Sequence, residues 1–201
     1  MRTIFIIGAS IGFSVGLAMA RLPGIETSFR IVNLCKKGAK FPELVWPKFS
    51  EVEENDILLI FPFGNDLQTG FWYKDFTSEP QFHLREYREL EQSVLRGYYA
   101  ELLARILRYQ GKTTLVTCFY RFLCTCHKHP GLVAYYKKRN AELISEFQNY
   151  DNVTVLDHRT LVSEQVYRAK RDIKFYASLL YDQVHFKDNS VIARRIFATF
   201  Q

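Results

Sequence analysis

The chain has 201 residues, of which 48% are hydrophobic, 15% aromatic and 24% charged. This composition excludes a disordered chain and is sufficient for one globular domain over residues 1–201. The formal net charge of +6 is a mild excess, compatible with a nucleic acid or an anionic membrane nearby but indicating neither.

Short β-branched runs alternate with helical patterns along the chain, as is typical of a parallel α/β sheet. Strands are predicted at 3–8, 29–34, 56–63, 113–119 and 153–157. Helices are predicted at 11–21, about 42–54, 84–110, 132–149 and about 188–199, with Pro47 kinking or splitting the second and Gly111 ending the third. Because the strand runs are apolar throughout, both faces should be buried. We therefore expect a three-layer α/β/α domain around about five parallel strands.

Two irregular segments follow the carboxyl ends of predicted strands, where open α/β sheets bind ligands. Residues 67–82 are rich in aromatic side chains, and we expect them to form a lid or a substrate wall. Residues 120–131 form the second break.

The first apolar stretch, residues 4–16, has two interpretations. Arg2, the apolar run and the small residues Ala18 and Ala20 fit a cleavable secretion signal. The same residues also fit a buried first strand that turns into a helix at Ser10. No apolar run reaches the roughly 18 residues that a membrane-spanning helix requires.

Nucleotide-binding glycine motifs are missing. Gly8, Gly12 and Gly16 do not form G-x-G-x-x-G, and no phosphate-binding G-x-x-x-x-G-K-[ST] loop occurs. We expect Gly12 and Gly16 to allow close packing of the first helix against the sheet.

The cysteines and histidines do not form a convincing metal site. Cys118, Cys124, Cys126, His127 and His129 are crowded, without the paired knuckles typical of structural zinc. The four cysteines of the chain are also too few and too irregular for a disulfide framework, so we expect reduced thiols.

His83 and His158 are isolated along the sequence. Asp157 adjoins His158, but neighbouring residues at a strand end are expected to point in opposite directions. Neither histidine is a strong catalytic candidate.

Ser10 is the candidate nucleophile, because it follows an apolar strand at the start of a helix. It could simply cap that helix. As a nucleophile it needs a base, which His185 can supply, and Asp182 three residues earlier can hold the far ring nitrogen.

Two further residues could stabilise an oxyanion. Gly38 follows the second strand, where its backbone N–H could point inward, and Asn65 follows the third strand with a side-chain amide. Each is equally explained as a turn residue.

Four blocks occur in a recognisable order: IIGASI, NLCKKGAKF, FPFGND and YDQVHF. Over residues 4–185 they resemble the SGNH hydrolases, also called GDSL-like lipases and acylhydrolases. The resemblance implies a flavodoxin-like sheet, no metal or organic cofactor, and hydrolysis of O-acyl esters ranging from acetyl groups to phospholipid and thioester acyl chains. A carbohydrate de-acetylase is one option within this class.

The resemblance also implies a role for each candidate residue. Ser10 would carry the acyl group, with His185 as base and Asp182 orienting it, and Ser10, Gly38 and Asn65 would line the oxyanion hole. Signal cleavage would remove Ser10, so we favour the strand interpretation and expect a cytoplasmic protein.

One position departs from the family pattern. The first block commonly reads G-D-S, and here Ala9 replaces the carboxylate. The alternative function is therefore a weakly active or inactive module of this fold that binds nucleic acid or anionic membrane, as a domain of a larger, retroelement-like protein.

Overall fold

The structure is a computed structural model that describes residues 1–64, 66, 71–73, 82–84, 90–117, 130–162 and 188–201. In these ranges no helix has both the length and the apolar character needed to cross a membrane.

A parallel sheet forms the centre of the described chain. Its strands are β1 (Arg2–Gly8), β2 (Phe29–Asn33), β3 (Ile57–Phe61), β6 (Lys112–Val116) and β7 (Val153–Leu156), in the order β2-β1-β3-β6-β7. The five strands predicted from the sequence are confirmed. A separate antiparallel pair is formed by β4 (Phe71–Tyr73), within the predicted lid or substrate wall, and β5 (Phe82–Leu84), at its end. The rest of that predicted segment, 67–70 and 74–81, lies outside the described residues.

Helices cover both faces of the sheet, which confirms the three-layer arrangement. They are α1 (Ser10–Met19), α2 (Gln92–Ile106), α3 (Pro130–Phe147), α4 (His158–Leu161) and α5 (Ser190–Phe197). Alternate residues of β1 enter two different cores. Phe5 and Ile7 pack in the core that contains residues of α2 and α3, whereas Ile4 and Ile6 pack with residues of α1 and α5.

The predicted helix at 42–54 is wrong. Two 3₁₀ turns replace it, at Phe41–Glu43 and Phe49–Glu51. Pro47 lies between them, where it lacks the N–H that a continuous helix would need, and its carbonyl accepts a hydrogen bond from the Tyr109 hydroxyl at 2.8 Å.

The bounds of the third predicted helix also need correction. Its described part, α2, begins at Gln92 and ends at Ile106, and Leu84 belongs to β5 instead. Gly111 does not end this helix. A Cβ atom there would lie 2.7 Å from the carbonyl oxygen of Asp56, so glycine allows the close approach of two backbone segments.

Asp56 holds together the amino edge of the sheet. Its side chain is buried, and it accepts the N–H of Thr3 at 2.6 Å and the N–H of Glu53 at 2.9 Å. Its carbonyl accepts the N–H of Lys112 at 2.9 Å. One residue therefore joins the starts of β1, β3 and β6.

Helix α1 lies unusually close to the sheet because it presents glycine there. A Cβ at Gly16 would lie 2.4 Å from Nδ2 of Asn33, and one at Gly12 would lie 2.8 Å from Sγ of Cys35. The Asn33 amide donates to the carbonyl of Phe13 at 3.0 Å. The predicted packing role of the two glycines is confirmed.

The Asp56 contacts predict a large effect of Asp56→Ala. The substitution leaves two backbone N–H groups without their acceptor, which should lower the free energy of unfolding by about 2–3 kcal/mol. Urea denaturation measures this, with Asp151→Ala at an exposed turn position as the control. Equal stability of the two variants would contradict this role for Asp56.

The packing of α1 predicts opposite effects for two glycine-to-alanine substitutions. Gly16→Ala should lower the free energy of unfolding by about 1–3 kcal/mol, because the new methyl group displaces Asn33. Gly97→Ala should raise it by about 0.5–1 kcal/mol, because alanine is the better helix former and the exposed Gly97 has nothing within 4 Å of its Cβ position. Parallel denaturation curves test the contrast, and a loss of the same size in both variants would argue against close packing.

Candidate active site

Ser10 lies at the turn between β1 and α1. Ala9 is the N-cap residue, with φ −103° and ψ −147°, and Ser10 is the first residue of the helix. No side chain caps this helix, so the alternative in which Ser10 serves as its cap is wrong. The partly exposed Ser10 hydroxyl has no hydrogen-bond partner among the described residues.

The strand order places this turn between two loops. β1 pairs with β2 on one side and with β3 on the other, so the segments that leave β2 and β3 pass on either side of Ser10. The N–H of Lys36 bonds to the carbonyl of Gly8 at 3.1 Å, which continues the pairing of β1 beyond the end of β2. A Cβ at Gly8 would lie 2.9 Å from Cβ of Phe61, so this turn also lies tightly against β3.

Gly38 occupies the loop after β2. The N–H of Ala39 bonds to the carbonyl of Lys36 at 3.1 Å and closes a turn around Gly38. Gly38 has φ +77° with open space around its Cβ position, so its conformation, and not crowding, requires glycine. Within the described part of the chain its N–H has no acceptor.

In the loop after β3, an aromatic residue has an uncommon backbone conformation. Phe63 is buried and has φ +61°, a left-handed conformation that is strained for a bulky residue. Its ring lies 5.0 Å from that of Phe41 and 5.3 Å from that of Tyr99, measured between centroids. This packing holds the strained residue in place.

Asp66, in the same loop, is a buried carboxyl group that the sequence analysis did not single out. It is only 3% exposed, and its Oδ2 and Oδ1 atoms lie 2.9 and 3.1 Å from the backbone nitrogen of Phe41. Burial raises the pKa of Asp66 to about 6, although the Phe41 N–H and the charge of Lys40 act in the opposite direction. Asp66 directly follows Asn65 in the block FPFGND. The sequence alone does not distinguish a buried carboxyl group at this position from an exposed turn residue.

Cys35 is a free thiol near the same turn, as predicted. Its Sγ donates to the carbonyl of Ile6 at 3.5 Å, and burial raises the pKa of this thiol to about 12. Cys35 therefore stays protonated at neutral pH and is not a competing nucleophile.

His158 has close partners, contrary to the expectation that it points away from its neighbour. The strand ends at Leu156, and Asp157 becomes the N-cap of α4, so the alternation of a strand no longer applies. Oδ1 of Asp157 lies 3.4 Å from Nδ1 of His158, and the Thr117 hydroxyl lies 2.9 Å from the same nitrogen.

This histidine is too far from Ser10 to be its base. His158 follows β7, which is separated from β1 by β3 and β6. Three strand spacings amount to about 14 Å. Its contacts with Thr117, which follows β6, instead hold the ends of β6 and β7 together.

Helix α5 runs from the site edge of the sheet towards the opposite edge. The ring of Phe197, at its end, lies 5.5 Å from that of Phe29, the first residue of β2. The eight residues of α5 extend about 12 Å, which directs the start of the helix towards the edge that holds Ser10. The helix also packs against α1.

Several predicted site residues lie outside the described residues. They are Asn65, Asp182 and His185. The crowded group that was not expected to bind metal also lies outside them, as does nearly all of the break at 120–131; its members are Cys118, Cys124, Cys126, His127 and His129. His83 lies in β5. Across the described ranges, no group of three or more His, Cys, Asp or Glu residues could hold a metal ion.

Solved structures similar to this chain share one fold. The acetyl xylan esterase AlAXEase is 15% identical with a TM-score of 0.62, over 99% of both chains. A G-D-S-L family lipolytic protein from Veillonella parvula is 14% identical with a TM-score of 0.59, over 98% of this chain and 96% of the other. Axe2, an acetylxylan esterase from Geobacillus stearothermophilus, is 18% identical with a TM-score of 0.55, over 99% and 93%.

No protein-family model matches the chain, and no curated protein does. The structural likenesses extend over nearly the whole chain, as the resemblance of the four sequence blocks predicted. The chain has the α/β/α fold that acetyl xylan esterases and G-D-S-L lipolytic proteins share.

Proposed function

We propose that the protein is a serine esterase that hydrolyses an O-acyl ester through an acyl-enzyme on Ser10. The observation that carries this proposal is the place of Ser10, at the first position of α1 and between the loops that follow β2 and β3. Those two loops contain Gly38 and lead to Asn65. The fold shared with esterases and lipolytic proteins supports the same reaction class.

In the proposed reaction, Oγ of Ser10 attacks the acyl carbon while His185 removes the hydroxyl proton. Asp182 accepts the other ring N–H of His185 and stabilises the imidazolium. The C–O bond to the alcohol breaks, and the imidazolium returns the proton to the leaving oxygen. Water then attacks the acyl-enzyme with His185 again as base, which releases the acid and restores Ser10.

The developing oxyanion would be stabilised by the N–H groups of Ser10 and Gly38 and by the side-chain amide of Asn65. One well-placed donor is typically worth about 3–4 kcal/mol of barrier. The start of α1 supports this role, because its free amides and its dipole favour negative charge.

Ala9 is compatible with this arrangement. A carboxylate at the N-cap position would normally accept an N–H from the first turn of the helix, whereas Ala9 offers no such acceptor and no side chain caps α1. The amides of the first turn stay available as donors. The replacement should therefore weaken the helix start without removing the nucleophile.

Ser10→Ala is the direct test of the nucleophile. The variant should lose about 10³-fold or more of kcat for p-nitrophenyl acetate, because no acyl-enzyme can form. Ser14→Ala, in the same helix, is the matched control and should retain activity. Equal turnover by the Ser10 variant and the wild type would exclude the proposed function.

Gly38→Ala tests the oxyanion loop against a control with the same backbone geometry. Gly24 also has φ +77° and open space around its Cβ position, but it precedes β2 at the opposite edge of the sheet. Both substitutions should cost about 1–2 kcal/mol of stability through backbone strain. Only Gly38→Ala should lower kcat, by about 10- to 100-fold, because the N–H of residue 38 turns away.

Steady-state kinetics at saturating ester, together with denaturation curves, measure both effects. Equal kcat in the two variants would mean that the N–H of Gly38 does not contact the oxyanion.

A further inference from the structure

We propose that Asp66 is a positioning residue that holds the two oxyanion loops in register by binding the backbone N–H of Phe41. The inference rests on the proposed function and adds to it a residue that does not contact the substrate. The two loops are defined here as residues 36–41, which carry Gly38, and residues 62–66, which carry Asn65.

The contact joins the two loops at residues that are near both proposed donors in the sequence. Asp66 directly follows Asn65 in the chain, and Phe41 comes three residues after Gly38. Both carboxylate oxygens of Asp66 lie within 3.1 Å of the Phe41 nitrogen. We therefore expect a shift of this hydrogen bond to change the separation of the two donors.

Apolar packing alone does not provide this precision. The rings of Phe41 and Phe63, one from each loop, both contact the ring of Tyr98 on α2, at centroid distances of 5.0 and 6.2 Å. Such burial keeps the loops together, but hydrophobic contact has no preferred direction. The hydrogen bond to the carboxylate is directional and fixes the backbone of Phe41.

The charge of Asp66 argues against a purely stabilising role. Its pKa of about 6 lies above that of an exposed aspartate, so the folded state binds the proton more tightly than the unfolded state does. Stability gained from this proton is present at low pH and is lost as the pH rises through about 6. At neutral pH the buried Asp66 carboxylate is therefore less favourable for stability than a neutral side chain would be. A neutral amide at this position could accept the same N–H of Phe41.

Among the described residues, charged and titratable groups approach Asp66 from two packed elements. Lys40 precedes the 3₁₀ turn and lowers the pKa of Asp66, whereas Glu43 at the end of that turn raises it. Tyr98 faces the carboxylate from α2, and its own pKa is raised by burial and by the charge of Asp66.

The test compares Asp66→Asn and Asp66→Ala with the wild type, using p-nitrophenyl acetate between pH 5 and pH 8. Asp66→Ala should lower kcat by about 100-fold with little change in KM, because the lost contact acts on transition-state donors. Asp66→Asn keeps a neutral acceptor and should be at least as stable as the wild type. It should lower kcat by about 10-fold at pH 8, because an amide oxygen holds the Phe41 N–H less tightly than a carboxylate does.

The pH profile separates positioning from simple stabilisation. The ratio of wild-type to Asp66→Asn kcat should fall towards one as the pH drops through about 6, because protonated Asp66 and asparagine are equivalent acceptors.

Asp56→Asn is the matched control. Asp56 is also buried and also accepts backbone N–H groups, but at the amino edge of the sheet. Its substitution should change stability and leave kcat and the pH profile unchanged.

Two results would overturn the proposal. One is an Asp66→Asn kcat equal to or above that of the wild type at pH 8, and the other is a ratio that does not vary with pH. Failure of the proposed function is distinguishable, because Ser10→Ala would then hydrolyse the ester as fast as the wild type whatever the Asp66 variants do.

Discussion

The position of the candidate site follows from the pairing of β1 with a parallel strand on each side. β1 hydrogen-bonds to both β2 and β3, and its alternate side chains are buried in two different cores. From Ile4 to Gly8 the strand therefore has no free edge and no free face, and on its carboxyl side the chain first becomes partly exposed at Ser10. Ser10 occupies that end, as the first residue of α1.

Close packing of α1 extends this constraint to the site. Gly16 admits the Asn33 side chain, which donates to the carbonyl of Phe13 in the first turns of the helix. The loop after β2 is then joined to the loop after β3 through Phe41, Phe63 and Asp66. Helix position and loop position thus come from separate contacts.

The sequence predicted the structure correctly where a residue type strongly favours one local arrangement. Unbroken apolar runs predicted the five central strands, and the glycines of α1 predicted its close packing. The place of Ser10 followed from the strand that precedes it. Asn65, Asp182 and His185 lie outside the described residues, so their roles stay predictions that rest on the sequence blocks.

The errors occurred where distant contacts decide the structure. Pro47 and its contact with Tyr109 replaced a predicted helix with two 3₁₀ turns. Asp157 and His158 came together because the chain leaves the strand at that point. Asp66 binds the N–H of Phe41, which is 25 residues away in the chain. No local sequence pattern predicts such a contact.

Covalent labelling tests whether Ser10 is an activated nucleophile. The purified protein would be treated with a fluorophosphonate and digested, and the modified peptide would be identified by mass spectrometry. We expect a single phosphonyl adduct on Ser10, formed by the native protein and not after denaturation. An unmodified Ser10 peptide from folded protein, or an adduct on another residue alone, would contradict this expectation.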